Sequence, residues 1–333
     1  MVVVPATSLV DWPVAPLFLC EVLGVAEAVE IGGHAGVLTL PARNPEAVDA
    51  GTYDCAICPP DSYILSPLAK AYPCVHWGYH VSWPRLLAQV RTLVLRMDFE
   101  CQGDCDLPNG INAVQDAFEG WFGLLCDWLG VLTKQDLYES EPRSPGKAPG
   151  ERFPGWFCLR EGEWRRAQGR QTIKVRPPEF DKAISAANWA RGVAFANRGQ
   201  RAPAEHILLR DARESLARDD PRRSVLNAGL AGELSLGVAV REELARQGGS
   251  PSRVDRSLDR LTLGQLVASI RTFMPGVWLP PGISATLVKK RNEAAHGSRD
   301  ISVADARAAL DVADSLVSRY VRLAYSNAAC RDI

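Results

Sequence analysis

Residues 284–297 read SATLVKKRNEAAHG and predict a short helix in the last sixth of the chain. Gly297 is placed to end this helix, since glycine readily adopts the left-handed conformation that follows a last helical residue. At 100° per residue the apolar side chains form one stripe, made of Leu287, Val288, Ala294 and Ala295. Arg291 falls at the centre of the stripe, where a charge is costly unless a partner neutralises it. The helix therefore has to pack against an element that supplies an acidic side chain.

Three polar residues of this helix, Arg291, Asn292 and His296, are candidates for catalysis. Asn292 and His296 are four residues apart and share a face outside the apolar stripe. A guanidinium binds phosphate oxygens and an imidazole transfers protons near neutral pH, so the set suits metal-free cleavage of RNA. Lys289 and Lys290 are candidates to bind RNA phosphates, or else form a solvated face. The alternative for the motif is a salt-bridged arginine and a helix-terminal histidine without chemistry.

The acidic partner is predicted on a longer helix, from about Arg222 to Gln247. One row on that helix reads Leu226, Leu230, Glu233, Gly237, Val240 and Leu244. Glu233 is the only charge in the row, so we expect it to face Arg291 as structural support. If the pair is well buried, Arg291→Ala should lower the free energy of unfolding by roughly 3 kcal/mol. A pair that only holds the helices together is the alternative.

Five helices are predicted in the last third of the chain. The first begins at Pro203, and the second is rich in small residues that allow close helix approach. Thr262 with Gln265, and Ser302 with Asp305, form capping boxes that begin the third and fifth helices. The connections are short, as expected of antiparallel neighbours. The sequence therefore predicts an antiparallel helical bundle.

Four short segments of this bundle carry a resemblance to a known family. They are Leu209-Arg210-Asp211-Ala212-Arg213, Ala231-Gly232-Glu233, Arg291-Asn292-x-x-x-His296 and Ala308-Ala309-Leu310. Residues 202–323 resemble a HEPN domain, the helical nuclease module of prokaryotic toxins, abortive-infection proteins and some CRISPR effectors. The family's motif is Arg, four to six residues, then His, often with a polar residue directly after the Arg, which here is Asn292.

The resemblance implies a dimer in which two Arg/His motifs form one cleft that cuts single-stranded RNA without a metal or another cofactor. His296 would act on the ribose 2′-hydroxyl or the leaving 5′-oxygen. Arg291 would bind the scissile phosphate or hold His296 in place, and Asn292 would orient the phosphate or the ring. The 2′-hydroxyl as internal nucleophile would confine the reaction to RNA.

The N-terminal part has a different pattern. Residues 1–139 are predicted to form a β-rich domain with a long helix at 110–131, and residues 140–200 a linker, a hairpin and a connecting helix. The predicted strands are 17–25, 35–40, 53–58, 72–79 and 90–99. With the bundle at 201–328, the fold class is α+β. This order loosely resembles abortive-infection HEPN proteins, so a sensor or regulatory role is expected for the first domain.

Nine cysteines raise the question of a metal site. Cys55 and Cys58 form a C-x-x-C pair, and Cys101 and Cys105 form a C-x-x-x-C pair. Two such pairs could close a tetrahedral zinc site. Free buried cysteines are the alternative, because no glycine-rich knuckle follows Cys58.

Charge is distributed unevenly along the chain, whose formal net charge is −1. Residues 200–333 carry 20 Lys and Arg against 16 Asp and Glu, so the bundle is the half better suited to RNA. No apolar run approaches the ~20 residues of a membrane span, and the first residues lack a signal-peptide pattern. We therefore expect a cytoplasmic protein with no membrane partner.

Three hypotheses follow from the sequence. The first is a HEPN endoribonuclease, a regulated toxin or antiphage effector that its N-terminal domain restrains until a trigger such as phage infection, with an antitoxin or a phage component as a candidate partner. The second is a non-catalytic HEPN module that binds a protein partner or a nucleotide. The third is a structural helical dimerisation domain attached to a ligand-binding β domain.

Overall fold

The computed structural model confirms the α+β class, with antiparallel sheets in the N-terminal part and helices in the C-terminal part. It describes residues 2–12, 15–43, 57–64, 69, 75–82, 87–101, 106–135, 137, 157–160, 163–166, 182–248, 261–297 and 300–323. The chain divides into two compact units, Met1–Gln200 and Arg201–Ile333. Each unit has its own hydrophobic core.

The described part of the first unit holds antiparallel strands and three helices. The strands are β1 (Val2–Asp11), β2 (Leu17–Leu19), β3 (Ala26–Ile31), β4 (His34–Thr39), β5 (Gly78–Ser82), β6 (Leu87–Val90), β7 (Thr92–Cys101), β8 (Phe157–Arg160) and β9 (Glu163–Arg166). The helices are α1 (Asp61–Ile64), α2 (Asp106–Thr133) and α3 (Ala186–Asn197). The sheet orders are β1-β7-β4-β3, β2-β6-β5 and β8-β9.

Strand β1 is the main element that the sequence analysis did not predict. It pairs with β7 over its whole length, from Val2 opposite Cys101 to Asp11 opposite Thr92. Pro5 argued against a strand here, because proline has no N–H to donate to a neighbouring strand. At the sheet edge, where β1 lies, one side of the strand needs no such donor. About ninety residues separate the paired strands, so local sequence patterns did not indicate the pairing.

Other predictions for this unit are partly confirmed. Helix α2 covers the predicted 110–131, and the sheet face of β7 packs against it. The predicted strand at 90–99 is confirmed as β7, apart from Val90, which ends β6, and Arg91 between them. The strand expected at 72–79 begins only at Gly78. Most of the strand expected at 53–58 lies outside the described residues. Within the predicted 140–200 segment, β8 pairs with β9 in an antiparallel hairpin.

In the described part of the second unit, four helices are arranged around one long central helix. They are α4 (Ala204–Ala217), α5 (Pro221–Arg246), α6 (Leu263–Phe273), α7 (Lys289–His296) and α8 (Val303–Tyr320), with a π-helical turn at Ser284–Val288 before α7. Helix α5 contacts each of the other four. Its glycine- and alanine-rich face is buried, which lets several helices share one small core.

The predicted helix starts are confirmed in detail. Asp220 caps α5 by accepting a hydrogen bond from Arg223 N, and Pro221 occupies the first turn, where its missing N–H costs nothing. Both predicted capping boxes, Thr262 with Gln265 and Ser302 with Asp305, are formed. In the described part of the chain, no helix combines the length and apolarity required to cross a membrane.

Candidate functional site

Helix α7 packs on two glycines of α5. A Cβ added at Gly229 would lie 2.5 Å from Arg291 Cγ and 3.0 Å from Arg291 Cβ. One added at Gly232 would lie 2.8 Å from Leu287 Cδ2. Leu287, in the turn that leads into α7, contacts Gly232, and Arg291, further along the chain, contacts the earlier Gly229. The two segments therefore run antiparallel. The predicted role of the small residues of α5 in close approach is thereby confirmed.

Arg291 and Glu233 face each other across this contact, with Arg291 Nη2 3.9 Å from Glu233 Oε2. Their side chains are 30% and 25% exposed, so the pair lies at the edge of the bundle rather than in its core. Arg291 Nη1 also donates to Asn292 Oδ1 over 3.4 Å. No donor in the described part of the structure makes a hydrogen bond to the buried Glu233 Oε2. The guanidinium is thus held by its stem and one carboxylate, and part of it remains open to solvent.

The buried face of α7 differs from the predicted stripe. Leu287 and Ala294 are fully buried, whereas Ala295 is exposed. The physical reason is α8, which contacts the segment leading into α7 and places Asp305 beside Lys290. Its presence turns the buried side of α7 toward Lys290 and Glu293, which the periodicity of one isolated helix does not show.

Lys290 lies between two carboxylates. Its Nζ is 3.1 Å from Asp305 Oδ1 and 3.2 Å from Glu293 Oε2. Hydrogen bonds to Asp305 and then Glu293 raise the pKa of Lys290. The hydrogen bond from Ser302, followed by that from Lys290, lowers the pKa of Asp305. This placement favours a structural role for Lys290, tying α7 to the start of α8, over the predicted contact with RNA phosphate. Lys289 is exposed and keeps its predicted role as a candidate.

Asn292 and His296 are both exposed, one turn apart on the outer face of α7. Gly297 ends the helix in the left-handed conformation, with φ of 66°, as predicted. The structure thus places a partly exposed guanidinium, an amide and an imidazole on one short helix. Such a set can bind a phosphodiester and exchange protons with its oxygens.

Arg222 is a further residue of this site, which the sequence analysis did not single out. Its Nε donates to Ala294 O over 2.8 Å, and its Nη2 lies 3.4 Å from the position of a Cβ on Gly297. Arg222, Gly229 and Glu233 occupy one face of α5 by their spacing of seven and four residues. That spacing was the available signal, because Arg222 falls on the row that contains Glu233.

The Arg291–Glu233 pair should contribute less to stability than its sequence pattern suggested. We expect Arg291→Ala to lower the free energy of unfolding by about 1 kcal/mol, since a partly exposed pair is screened by solvent. Glu233→Gln should have a similar effect, and the double variant should show that the two effects are not additive. Thermal and urea unfolding measure all three. A loss near 3 kcal/mol for Arg291→Ala would contradict the geometry described above.

The predicted zinc ligands are only partly described. Cys55 and Cys105 lie outside the described residues, Cys101 ends β7, and Cys58 pairs through its backbone with Ala42. No cluster of three or more His, Cys, Asp or Glu able to hold a metal occurs within the described ranges. The zinc site therefore stays a prediction.

One buried cysteine–histidine pair does occur in the first unit. Cys20 Sγ lies 3.3 Å from His80 Nδ1. Burial raises the pKa of the Cys20 thiol to about 11 and, with the nearby Arg43, lowers the pKa of His80. Both groups are therefore neutral near pH 7, and the thiol is a poor nucleophile.

A cavity of about 470 Å³ opens in the first unit between β1, β7 and α2. Leu95, Met97 and Phe99 form its floor, and Ile111 and Phe118 of α2 form one wall. Its volume falls within the usual range for small-molecule sites.

No protein-family model, curated protein or solved structure matches this chain.

Proposed function

We propose that the protein is a metal-independent endoribonuclease of the HEPN type. The observation that carries the proposal is the exposure of Asn292 and His296 on the short helix that also carries the partly exposed Arg291. Arg291 packs its stem on Gly229 and lies beside Glu233, and these two contacts hold the guanidinium at the surface of α7. We place the protein in the cytoplasm, as a regulated toxin or antiphage effector.

The reaction follows from the three side chains. The ribose 2′-oxygen attacks the adjacent phosphorus while the bond from phosphorus to the 5′-oxygen breaks. One imidazole accepts the proton of the 2′-hydroxyl, and a second protonates the leaving 5′-oxygen. Arg291 neutralises the charge that develops on the phosphoryl oxygens, and Asn292 orients the phosphate or the ring. The products are a 2′,3′-cyclic phosphate and a 5′-hydroxyl.

Two imidazoles require two copies of His296, because α7 supplies one. We propose that a two-fold dimer brings two α7 helices together. Leu230 and Leu234, one turn apart on α5 and flanking Glu233, are 43% and 36% exposed and offer an apolar surface beside the motif. Burial of such leucines against a second copy would remove apolar area from water.

We expect Leu230→Asp to convert the dimer to monomers at micromolar concentration and to lower RNA cleavage by at least about tenfold, since each monomer holds half a cleft. Val303→Asp is the matched control, because Val303 is 38% exposed on α8. Light scattering and cleavage assays measure both variants. A wild-type monomer that still cuts RNA would refute the composite cleft.

Metal independence tests the proposed function directly. Cleavage of single-stranded RNA should proceed at an unchanged rate in excess EDTA, since an imidazole pair moves the protons without a Lewis acid. The product ends should be 2′,3′-cyclic phosphate and 5′-hydroxyl by mass spectrometry. Activity that EDTA abolishes, or 5′-phosphate products, would contradict this mechanism.

The same assays also distinguish the two alternative functions. RNA or nucleotide binding without cleavage would favour the non-catalytic HEPN module, and neither activity in a stable dimer would favour the structural domain. For the first unit we propose a regulatory role, in which a ligand, an antitoxin or a phage component relieves restraint. The cavity beside α2 offers a site for such a ligand.

A further inference from the structure

Arg222 carries an inference that rests on the proposed function and extends it. We propose that Arg222 is a second phosphate-binding arginine, which holds a backbone phosphate of single-stranded RNA next to the one held by Arg291. It lies on the first turn of α5, and its side chain is exposed. The exposed surface along the contact between α5 and α7 then carries the RNA backbone.

The first argument is the way in which the guanidinium is anchored. Nε donates to Ala294 O over 2.8 Å, which uses one of its five N–H groups and fixes its plane over the end of α7. Nη1 and Nη2 lie 3.8 and 3.4 Å from the position that a Cβ on Gly297 would take, which is ordinary van der Waals contact. Both nitrogens therefore lie beside Gly297, the residue that follows His296, and the side chain of Arg222 is exposed to solvent there.

The second argument is charge. Among the described residues no carboxylate pairs with Arg222, whereas Lys290, Arg213 and Arg218 each have an acidic partner. Capping the carbonyl end of α7 requires only one donor and a positive charge. The remaining N–H groups of Arg222 are free to make the paired hydrogen bonds that arginine forms with phosphate.

The third argument is spacing along α5. Arg222 and Gly229, on which Arg291 packs, are seven residues apart, which places them about 10 Å apart along the helix axis. Residues 291 to 294 of α7 lie along this span, because Arg291 packs on Gly229 and Ala294 accepts from Arg222, and His296 follows at the end of the helix. One extended strand can therefore contact both guanidinium groups while a phosphate lies at His296.

Arg222→Gln separates phosphate binding from capping, because a glutamine amide still donates a hydrogen bond to Ala294 O but carries no charge. RNA binding is measured on the full chain in a His296→Ala background, so that the substrate stays intact. The probe is a fluorescent single-stranded RNA oligonucleotide, titrated at several salt concentrations. Arg307→Ala is the matched control, since Arg307 is an exposed arginine on α8.

Loss of one phosphate contact should make the slope of log affinity against log salt shallower by about 0.7. We expect Arg222→Gln to show this change and to bind RNA about five- to tenfold more weakly, with an unchanged melting temperature. Arg222→Lys should recover part of the affinity, because one ammonium cannot replace both donor edges of a guanidinium. Arg307→Ala should keep the affinity and slope of its parent.

Two results overturn the inference in distinguishable ways. If Arg222→Gln keeps the affinity and slope of the parent, which itself binds RNA, Arg222 is only a helix cap and the proposed function still stands. If the parent does not bind single-stranded RNA, the proposed function fails and the second phosphate site fails with it.

Discussion

His296→Ala should abolish RNA cleavage while leaving the fold intact. General acid–base catalysis contributes about 10²- to 10⁴-fold, and in a two-fold cleft one substitution removes both imidazoles, so we expect a rate at least about 10³-fold lower. His296 is exposed at the end of α7, so the free energy of unfolding should change by less than about 0.5 kcal/mol. Cleavage assays and thermal unfolding on one preparation measure both quantities.

Two comparisons make that result specific. Arg307→Ala should cut RNA at the wild-type rate, because Arg307 is exposed on α8 and is not one of the residues assigned to the motif. RNA binding by His296→Ala should stay within about twofold of wild type, since the phosphate contacts are assigned to arginines. A His296→Ala protein that still cuts RNA at the wild-type rate would end the catalytic assignment and leave the non-catalytic binding module in its place.

Gly229→Ala should strongly lower the rate of RNA cleavage, because Gly229 packs against the base of the Arg291 side chain. The added Cβ would meet Arg291 Cγ at 2.5 Å and Arg291 Cβ at 3.0 Å, so the base of the side chain has to move together with the helix that carries it. A displacement of about 1 Å at a catalytic group costs about 100-fold in rate, which is the loss we expect. Overpacking costs about 1–3 kcal/mol, and the better helix propensity of alanine offsets about 1 kcal/mol of it.

Gly232→Ala is the control for that experiment, one turn along the same helix. Its Cβ would meet Leu287 Cδ2 at 2.8 Å, and the end of a leucine side chain gives way more easily than the base of an arginine. We expect a comparable change in stability with less than about tenfold loss of cleavage, measured by the same unfolding and cleavage assays. Equal losses of activity in the two variants would show that Arg291 has no special dependence on Gly229.

Sequence patterns by themselves determined the local features of the second unit. The starts of α4, α5, α6 and α8, the two capping boxes, the glycine that ends α7 and the spacing of Arg291, Asn292 and His296 all followed from the chain, whereas the π-helical turn before α7 did not. Helix caps and periodicity depend on residues within a few positions of one another, which is why a single sequence contains them. The facing of Glu233 and Arg291 also followed, because each was the only charge within its predicted apolar row.

Only the tertiary structure decided which face of each helix is buried and which distant residues it contacts. Contact with α8 gave Lys290 its partner Asp305 and turned α7 so that Ala295 is exposed. Because α7 packs antiparallel to α5, Arg222 donates a hydrogen bond to Ala294 O, although the two residues are 72 positions apart. The pairing of β1 with β7 joined segments about ninety residues apart despite Pro5. Each of these depends on contacts between distant segments, whose partners the periodicity of a single helix or strand does not specify.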